Sequence, residues 1–147
     1  MRQQLNFVID DGGRAEAGFR GTTGDCVCRA VAIATGRPYK VVYDEINKLA
    51  EMEPKSARRP NGSNARTGVY KYTYKRYLED YLGLVWTPTM QVGQGCRVHL
   101  LRNELPDGRL IVSVSRHMTA VIDGVVHDTH DPRRGGRRCV YGYWREP

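Results

Sequence analysis

No stretch of this sequence is apolar for long enough to cross a membrane. Met1 to Asp10 carries a charge but no apolar run of signal-peptide length, so no secretory leader is expected. Internal repeats and low-complexity segments are also lacking, which points away from repeat architectures and disordered tails. Cysteine is scarce: Cys26, Cys28, Cys96 and Cys139 are the four, with no C-x-x-C pair of the kind a structural zinc site prefers. Cys26 and Cys28 are too close to bridge inside a helix. The expectation is an intracellular, cytoplasmic chain with four reduced thiols, no metal, no cofactor and no membrane contact.

What is present fits one globular domain over residues 1–147, since 147 residues make one real core and not two. Lys and Arg number 23 against 16 Asp and Glu, a net charge of +7. That excess suggests an acidic partner. Much of it sits in two loop-like places, Lys55 to Pro60 and Arg133-Arg134-Gly135-Gly136-Arg137-Arg138. Arginine in loops rich in Gly and Pro is more often solvated than engaged with nucleic acid, so nucleic acid is the less favoured partner.

The order of elements reads as helices first and strands later, an α+β pattern. A short strand is expected at 5–9. Asp25 is placed to cap a helix from Cys26 to Thr35, apolar nearly all round except for Arg29, with Gly36 as its stop. Pro38 opens a second helix, in which Tyr39, Val42, Ile46, Leu49 and Met52 recur at helical spacing. A third runs from about Val69 to Leu82. Its Tyr70, Tyr74, Tyr77 and Tyr81 read as core and rim packing, and its Lys71, Lys75 and Arg76 as an ordinary polar side. Strand 84–87 and a short helix at 96–104 precede a dense antiparallel region at 109–115, 117–122, 125–129 and 138–144. Trp86 and Trp144 read as core packing.

The chemistry gathers around Cys26. A thiol at a helix N-terminus lies among free backbone N–H groups, and a nearby imidazolium lowers its pKa further. Cys28 lies roughly 200° around the helix and reads as a packing residue. Asp123-Gly124 is a strong two-residue hairpin turn. It pairs Ile122 with Val125, Val121 with Val126 and Ala120 with His127. His117, Thr119, Val121, Val126, Asp128 and His130 then share one face, with Asp128 diagonal to His117. Cys26 is thus expected to be the nucleophile, His117 the acid and base, and Asp128 the group that orients the imidazole. The Cys26 amide supplies one oxyanion donor; Thr22 and Thr23 are the candidates for the second, with Gln4 further away in sequence.

Thr23-Gly24-Asp25-Cys26-Val27-Cys28-Arg29-Ala30, with Gly108 to His117 and Ala120 to Asp128, resembles small phage and bacterial proteins of the papain-like cysteine peptidase superfamily. The likeness runs from about residue 22 to Trp144. It implies a helix carrying the cysteine packed on an antiparallel sheet carrying His and Asp, and the same three residues as the catalytic set. It also implies a protein or peptide substrate and, for a phage-encoded chain, the host cytoplasm and a host protein as target. One departure is plain. Such peptidases usually place a glutamine several residues before the cysteine, and Arg20 to Asp25 contains none.

Two other functions stay in view. One is a non-catalytic binder of the same fold, gripping a host protein or nucleic acid through Arg133, Arg134, Arg137 and Arg138. The other is a metal-binding module built on His117, His127 and His130.

Overall fold

A computed structural model describes residues 3–21, 23–55, 57 and 60–147. The chain builds a six-stranded mixed sheet in the order β1-β5-β4-β3-β6-β2, with helices against one side. The strands are β1 (Asn6–Ile9), β2 (Val85–Pro88), β3 (Arg109–Val114), β4 (His117–Ile122), β5 (Val125–Asp128) and β6 (Val140–Arg145). The helices are α1 (Cys26–Thr35), α2 (Tyr39–Glu51) and α3 (Lys71–Lys75), which runs on as a wider π-turn segment from Arg76 to Tyr81.

Helix α1 is the hub. Val27, Cys28, Ala30, Val31, Ala32, Ile33 and Ala34 are all buried, and the helix packs on β4 and β3. Its small side chains let it approach the sheet closely. Gly36, at φ 74°, closes it by donating its N–H to the Ala32 carbonyl. Arg109 from β3 reaches across to donate to the carbonyls of Ala34 (2.6 Å) and Ile33 (2.9 Å), which satisfies the helix end that would otherwise be bare.

Asp123-Gly124 forms the expected turn, with Asp123 at φ 47° and Gly124 at φ 79°. The register follows: Ile122 faces Val125, Val121 faces Val126 and Ala120 faces His127. Strand alternation divides the core in two. Ile111, Met118 and Ala120 face the helices; Leu110, Val112, Val121 and Val126 face a second cluster closed by Leu5, Leu100 and Leu105.

The fold departs from the sequence expectations in several places. β1 lies parallel to β5, so the sheet is mixed rather than antiparallel. A strand joined to its neighbour through most of the chain is not constrained to a hairpin's direction. Residues 96–104 are not a helix. Cys96 is bonded to Cys139, His99 bridges to Cys139 and Leu101 to Gln4, so tertiary pairing takes the backbone groups a helix would have used. That bond also removes two of the four thiols expected to be reduced; only Cys26 and Cys28 are free. Met52 is exposed rather than on the buried stripe of α2, because the helix has already ended at Glu51. Along α3, the tyrosines fall where core and rim packing puts them: Tyr77 is buried, and Tyr70 and Tyr81 are exposed. In the expected basic loop, Ser56, Arg58 and Arg59 lie outside the described residues. Among the described residues no helix is long and apolar enough to cross a membrane.

One glycine is demanded by packing. Trp86 lies against Gly142 on the neighbouring β6, and a Cβ there would also sit 2.7 Å from the Thr87 carbonyl oxygen. Gly142→Ala is expected to lower stability by about 1–3 kcal/mol, as overpacking does. Urea unfolding should show a lower midpoint with an unchanged slope. An unchanged midpoint would mean that Trp86 does not rest where it is described.

Candidate active site

Three element ends meet at a cleft of about 620 Å3, which Cys26 and His117 line and against which Asp128 is buried behind His117. Cys26 is the first residue of α1, His117 the first of β4 and Asp128 the last of β5. Because β4 and β5 are antiparallel, the start of one and the end of the other fall at the same edge of the sheet, and α1 points its N-terminus at that edge.

Asp128 is buried and fully engaged. Its Oδ2 accepts from His117 Nε2 at 2.6 Å and from the Thr119 hydroxyl at 2.7 Å. Its Oδ1 accepts from the Thr129 N–H at 2.7 Å and faces Arg29 Nη2 at 3.5 Å. Burial pushes the carboxyl's pKa up, but the bonds from His117, Thr119 and Thr129 outweigh it and hold it below the usual value. With Nε2 committed to Asp128, the other ring nitrogen of His117 is the one left for the Cys26 thiol, which lines the same cleft. Burial pulls the imidazole's pKa down; Asp128 and Cys26 push it up to about 9. Burial pushes the Cys26 thiol up; the bond and charge of His117, the Met118 N–H and the charge of Arg29 bring it below its ordinary value. Both shifts favour a thiolate–imidazolium pair.

Cys28 is the opposite case. It is buried, its thiol points at the Tyr39 carbonyl at 3.8 Å, and desolvation with the charge of Asp25 pushes it up to about 12.

Asp25 does not cap α1 with its side chain. The carboxylate turns inward. It accepts from Arg29 (2.6 Å), Tyr39 (2.6 Å) and Thr23 (2.7 Å). Three side-chain donors outbid the backbone N–H groups of the first turn. Arg29, read as the lone charge on an apolar helix, is buried and bridges Asp25 to Asp128. Its position carries the signal: four residues after a carboxylate on the same helix, and three after the cysteine.

The remaining candidates disperse. Thr22 lies outside the described residues. Thr23 lines the cleft, but its hydroxyl proton goes to Asp25. Gln4 is held elsewhere, donating to the Gly135 carbonyl at 2.7 Å. The four arginines do not form one free basic surface. Arg133 pairs with Asp131 at 2.8 Å and donates to the Leu5 carbonyl; Arg138 is buried and donates to the Ser115 carbonyl at 2.5 Å; only Arg134 and Arg137 are exposed. His127 pairs with Asp10 at 3.0 Å, apart from the other two hairpin histidines. His117, Asp128 and His130 could converge on a cation, but the nearest donors, His117 Nε2 and Asp128 Oδ2, already bond each other. Tyr74, taken from sequence as packing, lines the cleft, and burial with the charge of Cys26 raises its phenol.

Set against family models, curated proteins and solved structures, the chain matches none.

Arg29→Met keeps the side chain's apolar stem and removes the charge shared by two buried carboxylates. Breaking such an ionic cluster on one side typically costs about 3–5 kcal/mol. Urea unfolding at pH 7 should show a loss of that order. A loss under about 1 kcal/mol would mean that Arg29 is not what holds the two carboxylates.

Proposed function

We propose that this protein is a thiol hydrolase of the papain-like kind, cleaving an amide or peptide bond through a thioester on Cys26. The observation that carries the proposal is the grouping of Cys26, His117 and Asp128: a thiol at a helix N-terminus, sharing one cleft with an imidazole that a buried carboxylate holds at 2.6 Å. Packing alone does not call for it, since Cys28, two residues on, fills the role of a structural thiol without any such partner.

The chemistry follows from the groups in hand. The Cys26 thiolate attacks the carbonyl carbon, and the C=O electron pair moves to the oxygen. As the first residue of α1, Cys26 has a backbone N–H with no acceptor inside the helix, and it meets that oxyanion. Collapse expels the amine, which takes the proton from His117. A water then attacks the thioester, His117 takes its proton, and the carboxylic product leaves with the thiol restored. Asp128 keeps the ring oriented and its charge balanced throughout. A side-chain amide or an isopeptide would react by the same steps. Non-catalytic binding through the arginine loop draws less support, because Arg133 and Arg138 are spent inside the fold.

Two outcomes check the proposal. At neutral pH iodoacetamide should label Cys26 alone, since Cys28 is buried with its thiol at about 12 and the other two cysteines are bonded. Labelling should already be fast well below pH 8, and His117→Ala should slow it at pH 6–7 by roughly 10–100-fold by returning the thiol to its ordinary range. An ordinary thiol profile unchanged by His117→Ala would remove the ion pair and with it the mechanism. Amide cleavage should rise as the thiolate forms and fall as pH passes about 9, where His117 loses the proton the leaving group needs. Asp128→Asn should reduce kcat by roughly 10²–10⁴-fold with the fold retained. A flat profile through pH 9 would exclude His117 as the acid.

A further inference from the structure

A second, smaller recess opens off the cleft. It holds about 140 Å3 and shares Tyr74, Ser113 and Tyr141 with the space that contains Cys26 and His117. Sites for whole small molecules start at roughly 300 Å3. This recess is therefore an annex, sized for one side chain of a longer ligand.

Its walls are aromatic and fixed in advance. Trp86 and Trp144 have centroids 4.3 Å apart, and Tyr74 meets Trp144 edge-on at 5.7 Å. Trp144 is buried, with its indole N–H donating to Glu79 at 3.1 Å. Trp86 rests on the bare backbone of Gly142. Rings already held in place accept an apolar group with little further ordering cost.

The rim is cationic. Lys71 and Lys75, one turn apart on α3, line the recess and are exposed. Lys75 has Glu79 only at 3.9 Å, and among the described residues Lys71 makes no ion pair. Arg116, exposed, adds a third positive charge to the wall of the main cleft. Asp25, which lines that cleft, and Asp128, which His117 covers, are buried and matched by Arg29 and His117. An arriving chain meets positive charge over an aromatic slot.

Resting on the hydrolase proposal, we infer that this recess is the specificity pocket, and that the substrate is an acidic peptide segment presenting an aromatic or large aliphatic side chain flanked by a carboxylate. The side chain enters between Trp86, Tyr74 and Tyr141. The flanking carboxylate stays at the surface beside Lys71 and Lys75.

The test is the rate at which peptidyl chloromethyl ketones alkylate Cys26 in the full chain. Phe is placed at the first or second residue from the ketone, with Glu or Lys beside it, and Gly replaces Phe in the controls. In the better frame Phe should outpace Gly by about tenfold, the worth of one partly buried ring. Glu should outpace Lys by roughly fivefold at low salt, the worth of two exposed charge pairs, and less at high salt. Lys71→Glu combined with Lys75→Glu should abolish or invert the Glu-to-Lys ratio, a comparison made within one protein and so independent of thiol reactivity. Ratios near one in the wild type, with iodoacetamide still fast, would overturn the pocket and leave the hydrolase standing. An undiminished Glu preference in the double variant would overturn the role of the lysines. Slow alkylation by every reagent would overturn the hydrolase and the pocket together.

Discussion

The guanidinium of Arg29 joins the helix that carries the thiol to the strand that carries the carboxylate. It bonds Asp25 at 2.6 Å within its own helix and faces Asp128 across the interface at 3.5 Å. Everything in the cleft depends on that span. α1 is otherwise mostly apolar with small side chains, and Arg109 ties its far end to β3 while Arg29 ties the end that carries Cys26. A charge buried between two fixed carboxylates has one satisfactory position. It sets the helix's rotation and thereby the direction in which Cys26 points. Buried ion pairs contribute little net stability once desolvation is counted. What this one supplies is register.

The charges are graded by their surroundings. Two thiols two residues apart on one helix receive opposite treatment: Cys26 gains an imidazole and a backbone N–H and is drawn down, while Cys28 gains a carbonyl and a buried carboxylate nearby and is driven up. Their separation of roughly 200° around the helix is the whole difference. The same logic explains the imidazole. Its burial opposes the charged form, and two acidic neighbours outweigh that opposition. The site accepts the cost of desolvation to obtain strong interactions in a low-dielectric space.

Much of this was legible in the chain because local rules carried it. The Asp-Gly turn specifies a two-residue hairpin, and a hairpin's register leaves no freedom in which residues face each other. That is why His117, Thr119 and Asp128 were found together from sequence and meet in the structure. The strand boundaries at 109–122 and the extent of α1 were readable for the same reason. What was not readable required partners distant in the chain. Asp25 has the composition of a cap, but Tyr39 and Arg29 compete for it, and only folding brings Tyr39 near. Residues 96–104 read as a short helix, yet Cys139 and Gln4 pull them into bridges. The four arginines look alike in sequence, and burial alone separates Arg138 from Arg137. The parallel direction of β1 has no local signal at all.

Cys26 and its partners His117 and Asp128 come from widely separated points of the chain, and that has a consequence during synthesis. Cys26 leaves the ribosome about a hundred residues before Asp128. At roughly 5–20 residues per second this is an interval of about 5–20 seconds. Throughout it the cysteine has neither His117 beside it nor the edge of β4 beneath it, so it is an ordinary thiol. The surroundings that lower the Cys26 thiol are therefore set by topology: they arrive only with the hairpin, long after the cysteine itself has been made.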